Sequence, residues 1–103
     1  MYNRVWIAGH RGLVGSATRS YLLNKGYEVL TAEKSDLDLR DSSKVLKYLQ
    51  SEKPDAIIVA AAKVGGILAN DIYAADFISD NLIIQNNVIN GAHVADINRL
   101  VFL

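Results

Sequence analysis

The sequence predicts an α/β fold, a Rossmann-type doubly wound parallel sheet that is truncated after its fifth strand. Three observations lead to this expectation. Short, unbroken apolar runs alternate with helical patterns of about ten or more residues. A glycine-rich turn follows the first apolar run, and the chain has no cysteine for a disulfide framework. Crossovers between such strands are right-handed, and the expected strand order is 3-2-1-4-5.

The first half of the chain is expected to supply three strands and one helix. Val5–Ala8 is a continuous apolar run closed by a glycine, which is typical of a buried strand. Apolar residues at steps of three and four predict a helix over 13–24, and Gly26 suits the left-handed position after its end. Residues 27–31 predict the second strand, and the alternating segment 36–39 predicts a third, very short one.

The second half continues the alternation of helices and strands. Asp41 or Ser42 is placed to cap the next helix, which reaches about Glu52 and is stopped by Pro54. The remaining elements follow in order: a buried strand at 55–61, a long helix from about 74 to 96 and a final strand at 99–103.

Length, charge and residue usage restrict the possible functions. The 103 residues, 50% of them hydrophobic, suit one small domain or part of a larger one. Eleven basic residues balance eleven acidic ones, so we expect neither nucleic acid nor a membrane as a partner. No signal-peptide pattern opens the chain, which favours a cytoplasmic protein. With no cysteine and two histidines, no metal site is expected.

The strongest chemical signal is the turn Gly9-His10-Arg11-Gly12-Leu13-Val14-Gly15, which follows the first strand and opens the first helix. Gly9 permits a sharp turn, Gly12 lets backbone amides approach a pyrophosphate, and Gly15 lets the helix pack closely on the sheet. The helix N-terminus adds unpaired N–H groups and a partial positive charge. The turn therefore predicts a dinucleotide-binding loop. The alternative is a glycine turn that binds nothing, and for His10 the alternative to a cofactor contact is a surface position in the turn.

The end of the second strand bears on the choice of cofactor. Glu33 could accept a hydrogen bond from the ribose 2′-OH of NAD, whereas Arg11 and Lys34 could neutralise the 2′-phosphate of NADP. We predict NADP(H) and keep NAD as the alternative. Asp38 and Leu39 lie at the end of the predicted third strand, where an adenine ring would pack.

Small residues leave the predicted fourth strand at its carboxyl end, where ligands bind in this fold. They are Ala60, Ala61 and Ala62. Small side chains there would let a cofactor lie against the backbone, although close packing of a helix on the sheet would also explain them.

Two longer blocks carry a resemblance to a known family. Residues 7–17 hold a His-Arg pair inside the glycine turn, and residues 60–67 read Ala-Ala-Ala-Lys-Val-Gly-Gly-Ile. Both blocks resemble the GDP-L-fucose synthases, which belong to the extended short-chain dehydrogenase/reductases, the NAD-dependent epimerase/dehydratase family. The resemblance extends over essentially the whole chain but covers only the N-terminal part of the family's usual length.

The resemblance implies roles for individual residues. It assigns the dinucleotide loop to residues 9–15, the 2′-phosphate of NADP to Arg11 and Lys34, and the adenine to Asp38 and Leu39. It places the following residues along the rest of the cofactor: Ala60, Ala61, Ala62, Lys63, Val64, Gly65 and Asn81.

The resemblance also implies an activity. The family epimerises GDP-4-keto-6-deoxymannose at C3 and C5 and reduces C4 with NADPH to give GDP-L-fucose. Residues 1–103 are then expected to form the N-terminal part of an NADP-binding Rossmann domain, with the substrate domain absent. The family's catalytic Ser, Tyr-x-x-x-Lys pair, Cys and His would all lie beyond Leu103, so the chain alone is expected to be inactive.

The full-length enzyme is expected to bind a GDP-sugar and to be a homodimer. Two alternatives remain open at this point. One is the NAD-binding part of another nucleotide-sugar epimerase or dehydratase. The other is a non-catalytic dinucleotide-binding module.

Overall fold

The computed structural model of the protein describes residues 3–33, 35–60 and 71–103, and the side chains of these residues except those of 71–81. The described residues form strands and helices in strict alternation. In chain order these are β1 (Arg4–Ala8), α1 (Leu13–Asn24), β2 (Glu28–Leu30), α2 (Ser42–Glu52), β3 (Ala56–Val59), α3 (Asp71–Val94) and β4 (Leu100–Phe102). The predicted α/β class is confirmed, and α1 has the predicted bounds.

The described strands form one parallel sheet in the order β2-β1-β3-β4. This is the predicted order without its third strand. The expectation of a strand at Asp36–Leu39 is wrong, because this segment is a turn. The amide groups of Asp36 and Leu37 both donate to the carbonyl oxygen of Glu33, at 2.9 and 2.8 Å. Amides engaged within a turn cannot pair with β2, and the sheet therefore gains no strand there.

The main core lies between one face of the sheet and the helices α2 and α3. Trp6 of β1 and Ile57 of β3 are register partners and are both fully buried. Val45 and Leu49 of α2 and Val88 of α3 pack against them in the same cluster. A carboxylate oxygen of Asp41 accepts from the amide of Lys44 at 3.1 Å, which confirms the predicted cap of α2. This core fixes the ends of β1 and β3 relative to each other.

Helix α1 packs against β1 and β2, away from that cluster. The spacing of its apolar residues predicted its bounds correctly but did not produce a buried face. Leu13 is 88% exposed, Val14 and Tyr21 are also exposed, and Gly15 is the buried residue of this helix. The fully buried position of α1 is therefore a glycine. No helix of the described part is both long enough and apolar enough to cross a membrane.

Candidate functional site

A cleft of about 350 Å³ lies at the carboxyl edge of the sheet, beyond the ends of β1, β2 and β3. The residues that line it come from several separate stretches of the chain. They are Trp6, Ala8–Gly12, Ala32–Glu33, Leu37–Arg40, Ala60 and Ile84. In parallel α/β sheets this edge is where ligands bind. The cleft is thus positioned by the fold and not by any one loop.

The glycine turn forms one wall of the cleft. Gly9 has a φ of +96°, which is the left-handed conformation that glycine adopts without strain. The amide of Gly12 donates to the carbonyl oxygen of Gly9 at 3.3 Å and closes the turn. Gly12 then stands at the N-cap of α1, and no side chain caps this helix end. An α-helix leaves its first N–H groups without intrahelical acceptors, so this end of α1 is suited to an anion.

The two later glycines of the turn are present for different reasons. A β-carbon at Gly15 would lie 2.0 Å from the carbonyl oxygen of Gly9, so the protein itself excludes a side chain there. A β-carbon at Gly12 would meet that oxygen at an ordinary 3.7 Å, and the φ of Gly12 is −70°, which any residue can adopt. Neither packing nor backbone conformation requires a glycine at position 12. The remaining explanation for this glycine is the cleft, because Gly12 lines it and a side chain there would extend into the open space.

A charged cluster joins the glycine turn to the end of β2. Arg11 donates to both carboxylate oxygens of Glu33, through Nε at 2.6 Å and through a terminal nitrogen at 2.9 Å. The Nε2 atom of His10 lies 3.3 Å from Oε1 of Glu33. The hydrogen bond from Arg11 lowers the pKa of Glu33 below its ordinary value, and the same contact raises the pKa of Arg11. Glu33 is therefore ionised at neutral pH and already bound to a cation.

The His10 side chain is only 15% exposed and lies inside this cluster. His10 lies in the turn after β1, as the alternative of a turn histidine expects, and its ring contacts Glu33 at the cleft.

The opposite wall is built from the turn that replaces the predicted third strand. Leu37 is buried, and Leu39 is half-buried against the core. Asp38 accepts from the guanidinium of Arg40 at 2.9 and 3.1 Å, and both residues line the cleft. The side-chain amide of Asn87 in α3 donates to the carbonyl oxygen of Leu39 at 2.9 Å. This bond fastens the wall to the long helix.

Arg40 and Asn87 were not anticipated from the sequence. Arg40 carried a local signal, because it follows Asp38 by two residues and can reach back to it. Asn87 carried none, since its partner lies 48 residues earlier in the chain.

The floor of the cleft consists of small and apolar groups. The amide of Ala60 donates to the carbonyl oxygen of Ala8 at 2.7 Å, which continues the pairing of β3 with β1 up to the cleft. Trp6 lies beneath, and its ring centroid is 5.0 Å from that of Tyr48. Small side chains at positions 8 and 60 leave this floor open to a ligand.

The cleft brings together many of the predicted site residues. Those that line it are Gly9, His10, Arg11, Gly12, Asp38, Leu39 and Ala60. Leu13 and Val14 are exposed and do not line it, so only their backbone N–H groups could serve a ligand. Lys34 and the stretch from Ala61 to Gly65 lie outside the described residues. Asn81 lies within α3, but its side chain is outside the described set.

The chain shows clear similarity to known proteins. Residues 5–103 match the NAD dependent epimerase/dehydratase family. A GDP-L-fucose synthase of Sinorhizobium fredii is 51% identical over 100 residues, and that of Escherichia coli is 50% identical over 101 residues. Each match covers 97% of this chain and 32% of the relative, so the chain spans about a third of the length of these relatives.

Among solved structures, the chain is similar to MlghC, a GDP-mannoheptose C4 reductase from Campylobacter jejuni with NADP bound. The TM-score is 0.89 with 36% sequence identity, over 97% of this chain and 32% of that one.

Proposed function

Because this chain belongs to the NAD dependent epimerase/dehydratase family, we propose that its cleft binds the adenosine and pyrophosphate part of a nicotinamide dinucleotide. The observation that carries the proposal is Gly12. Neither packing nor backbone conformation requires a glycine there, yet it stands at an uncapped helix end facing the cleft. A pyrophosphate that approaches the backbone would occupy the space that a side chain would fill.

We assign the parts of the cofactor to the walls of the cleft. The N–H groups that open α1 would donate to the pyrophosphate, and the guanidinium of Arg11 would face the 2′-phosphate of the adenosine ribose. The adenine would lie along Asp38 and Leu39, and Ala60 would leave room beneath it. Lys34, the segment 61–65 and Asn81 keep their predicted cofactor roles as part of this proposal.

NADP(H) is the cofactor that we propose. Arg11 supports it, because its planar guanidinium can bind a phosphate through two hydrogen bonds and is 77% exposed at the cleft. The NADP-bound reductase to which the chain is similar supports it as well. When bound, NADPH supplies the hydride, while the described residues of this chain bind and orient the adenosine half.

For the whole enzyme we propose the activity of a GDP-L-fucose synthase, which epimerises GDP-4-keto-6-deoxymannose at C3 and C5 and reduces C4. The two relatives that are half identical to this chain support this proposal. Residues 1–103 would supply the cofactor-binding part and depend on other residues for the catalytic groups. We further propose that the enzyme is cytoplasmic and homodimeric.

The test is a calorimetric titration of the protein with NADPH, and of its Gly12→Ala variant. We expect the unmutated protein to bind, and Gly12→Ala to lose at least about tenfold in affinity because its methyl group occupies the position of the pyrophosphate. The variant should keep its fold, since the added β-carbon makes only an ordinary contact.

Glu28→Gln is the matched control. Glu28 is an exposed carboxylate of β2 that binds Arg4 outside the cleft, and its substitution should leave NADPH binding unchanged. A Gly12→Ala variant that is folded and binds NADPH as tightly as the unmutated protein would contradict the proposed site.

A further inference from the structure

The carboxylate of Glu33 is bound to the guanidinium of Arg11, which the proposed function assigns to the 2′-phosphate of the cofactor. Both of its oxygens contact Arg11, at 2.6 and 2.9 Å, and one of them also lies 3.3 Å from His10. Arg11 and His10 belong to the turn after β1, and Glu33 follows β2, so the contact bridges two neighbouring strand ends. The three side chains line the same cleft. The cation at this site is thus already engaged by an anion of the protein itself.

The geometry of the ion pair makes the carboxylate of Glu33 a competitor of a phosphate for Arg11. A guanidinium offers one planar fork to an anion, and a carboxylate and a phosphate use the same two donors. Arg11 is 77% exposed, so a ligand in the cleft can reach it from solvent. A surface ion pair is weak, and a phosphate ester carries more charge than a carboxylate, so the exchange of partners is feasible.

The same carboxylate would favour the binding of a ribose that carries no 2′-phosphate. A 2′-hydroxyl group can donate to a carboxylate oxygen, as acidic residues after the second strand do in NAD sites. Glu33 thus favours an unphosphorylated ribose, while Arg11 favours a phosphorylated one.

Resting on the proposed function, we propose that Glu33 is a specificity-determining residue, which lowers the preference for a 2′-phosphorylated nucleotide by competing with it for Arg11. The site would then bind both kinds of nucleotide with a modest preference, instead of excluding one of them. The degree of discrimination is set by the contact between two side chains 22 residues apart.

The test compares the binding of 2′,5′-ADP and 5′-ADP, two probes that differ by the phosphate in question. Dissociation constants are measured by calorimetry at one fixed ionic strength, because surface charges are screened by salt. We expect Glu33→Gln to raise the preference for 2′,5′-ADP by about fivefold, which is the upper range for a surface ion pair. Glu33→Asp, whose shorter side chain cannot keep both contacts to Arg11, should raise it less.

Two further variants identify the cause. In an Arg11→Gln background the effect of Glu33→Gln should fall below about twofold, because there is no guanidinium left to compete for and the amide oxygen of glutamine can still accept from a 2′-hydroxyl group. Glu28→Gln removes the same charge from an Arg-paired carboxylate at the far end of the same strand, and it should leave the preference unchanged.

The outcomes separate this inference from the proposed function. If both probes bind but Glu33→Gln leaves their ratio within about twofold of the original, the inference is wrong and the proposed site stands. An equal effect in the Arg11→Gln background would also overturn it, because Glu33 would then act by repulsion and not through Arg11. If neither probe binds the unmutated protein, the proposed function fails, and this inference fails with it.

Discussion

Replacing Gly15 with alanine tests the close contact between α1 and the turn that follows β1. The added β-carbon would lie 2.0 Å from the carbonyl oxygen of Gly9, 2.9 Å from its carbon and 3.2 Å from the α-carbon of His10. Close contacts between carbon and oxygen are ordinarily about 3.3 Å or longer, so helix and turn would have to separate by about 1.3 Å. The contacting atoms are all backbone, and no side-chain rotation can relieve the clash.

The expected cost follows from two opposing effects. Overpacking of this kind costs up to about 3 kcal/mol, and a backbone clash places Gly15→Ala at that upper end. Alanine is better than glycine inside a helix by about 1 kcal/mol. The net loss of unfolding free energy is therefore about 2 kcal/mol, which corresponds to a melting temperature lower by about 10 °C in a domain of this size.

The assay is thermal and denaturant unfolding followed by circular dichroism, with Gly12→Ala as the matched control. Its β-carbon meets the same Gly9 oxygen at 3.7 Å, and we expect it to lose less than about 1 kcal/mol, the cost of alanine at an N-cap. The two glycines are three residues apart, so a general effect of mutating this turn would destabilise both variants. A Gly15→Ala protein that melts within about 2 °C of the unmutated one would refute the close contact.

Two other contacts give predictions of their own. Asn87→Ala removes the hydrogen bond that fastens Leu39 to α3, and we expect the affinity for 5′-ADP to fall by about fivefold, the effect of one ordinary hydrogen bond, while nicotinamide mononucleotide binding is unchanged. The exposed neighbour Asn86 is the control, and equal losses for both probes in calorimetry would argue against a wall specific to adenine. Burial, with the nearby charge of Glu52, raises the pKa of Tyr48 to about 12 from 10.0. Because the unfolded chain ionises first, stability should be complete below pH 10 and fall between pH 10 and about 12. Urea unfolding of Tyr48→Phe should show a smaller fall over this interval, and an identical fall would contradict the assignment.

Local signals in the sequence predicted much of the fold. The bounds of α1 follow from its apolar spacing and from the glycines around it, and Gly26 has the positive φ expected after its end. The start of α2 follows from the capping carboxylate of Asp41. Each of these signals acts within about one helical turn, and such short-range interactions can be read from sequence without knowing the tertiary structure.

The contacts that shape the site were not predictable in this way. In the sequence, Arg11 indicates NADP and Glu33 indicates NAD, whereas in the structure the two side chains bind each other. No local pattern indicates a role for Asn87, because its partner Leu39 comes close only after α3 has packed against α2. Side-chain pairs separated by 22 and 48 residues depend on the path of the chain, which no local pattern encodes.

The segment 36–39, which the sequence predicts as a strand, forms part of one wall of the cleft instead. Alternation of Asp and Leu over residues 36–39 satisfies the rule for a strand, but the same alternation also suits a turn that directs both leucines towards the core. Leu37 is 5% exposed and Leu39 packs against the same cluster, so the apolar side chains are buried without any pairing to β2. The segment lines the cleft together with Glu33, which follows the carboxyl end of β2, and so forms a wall of the cleft instead of a strand of the sheet.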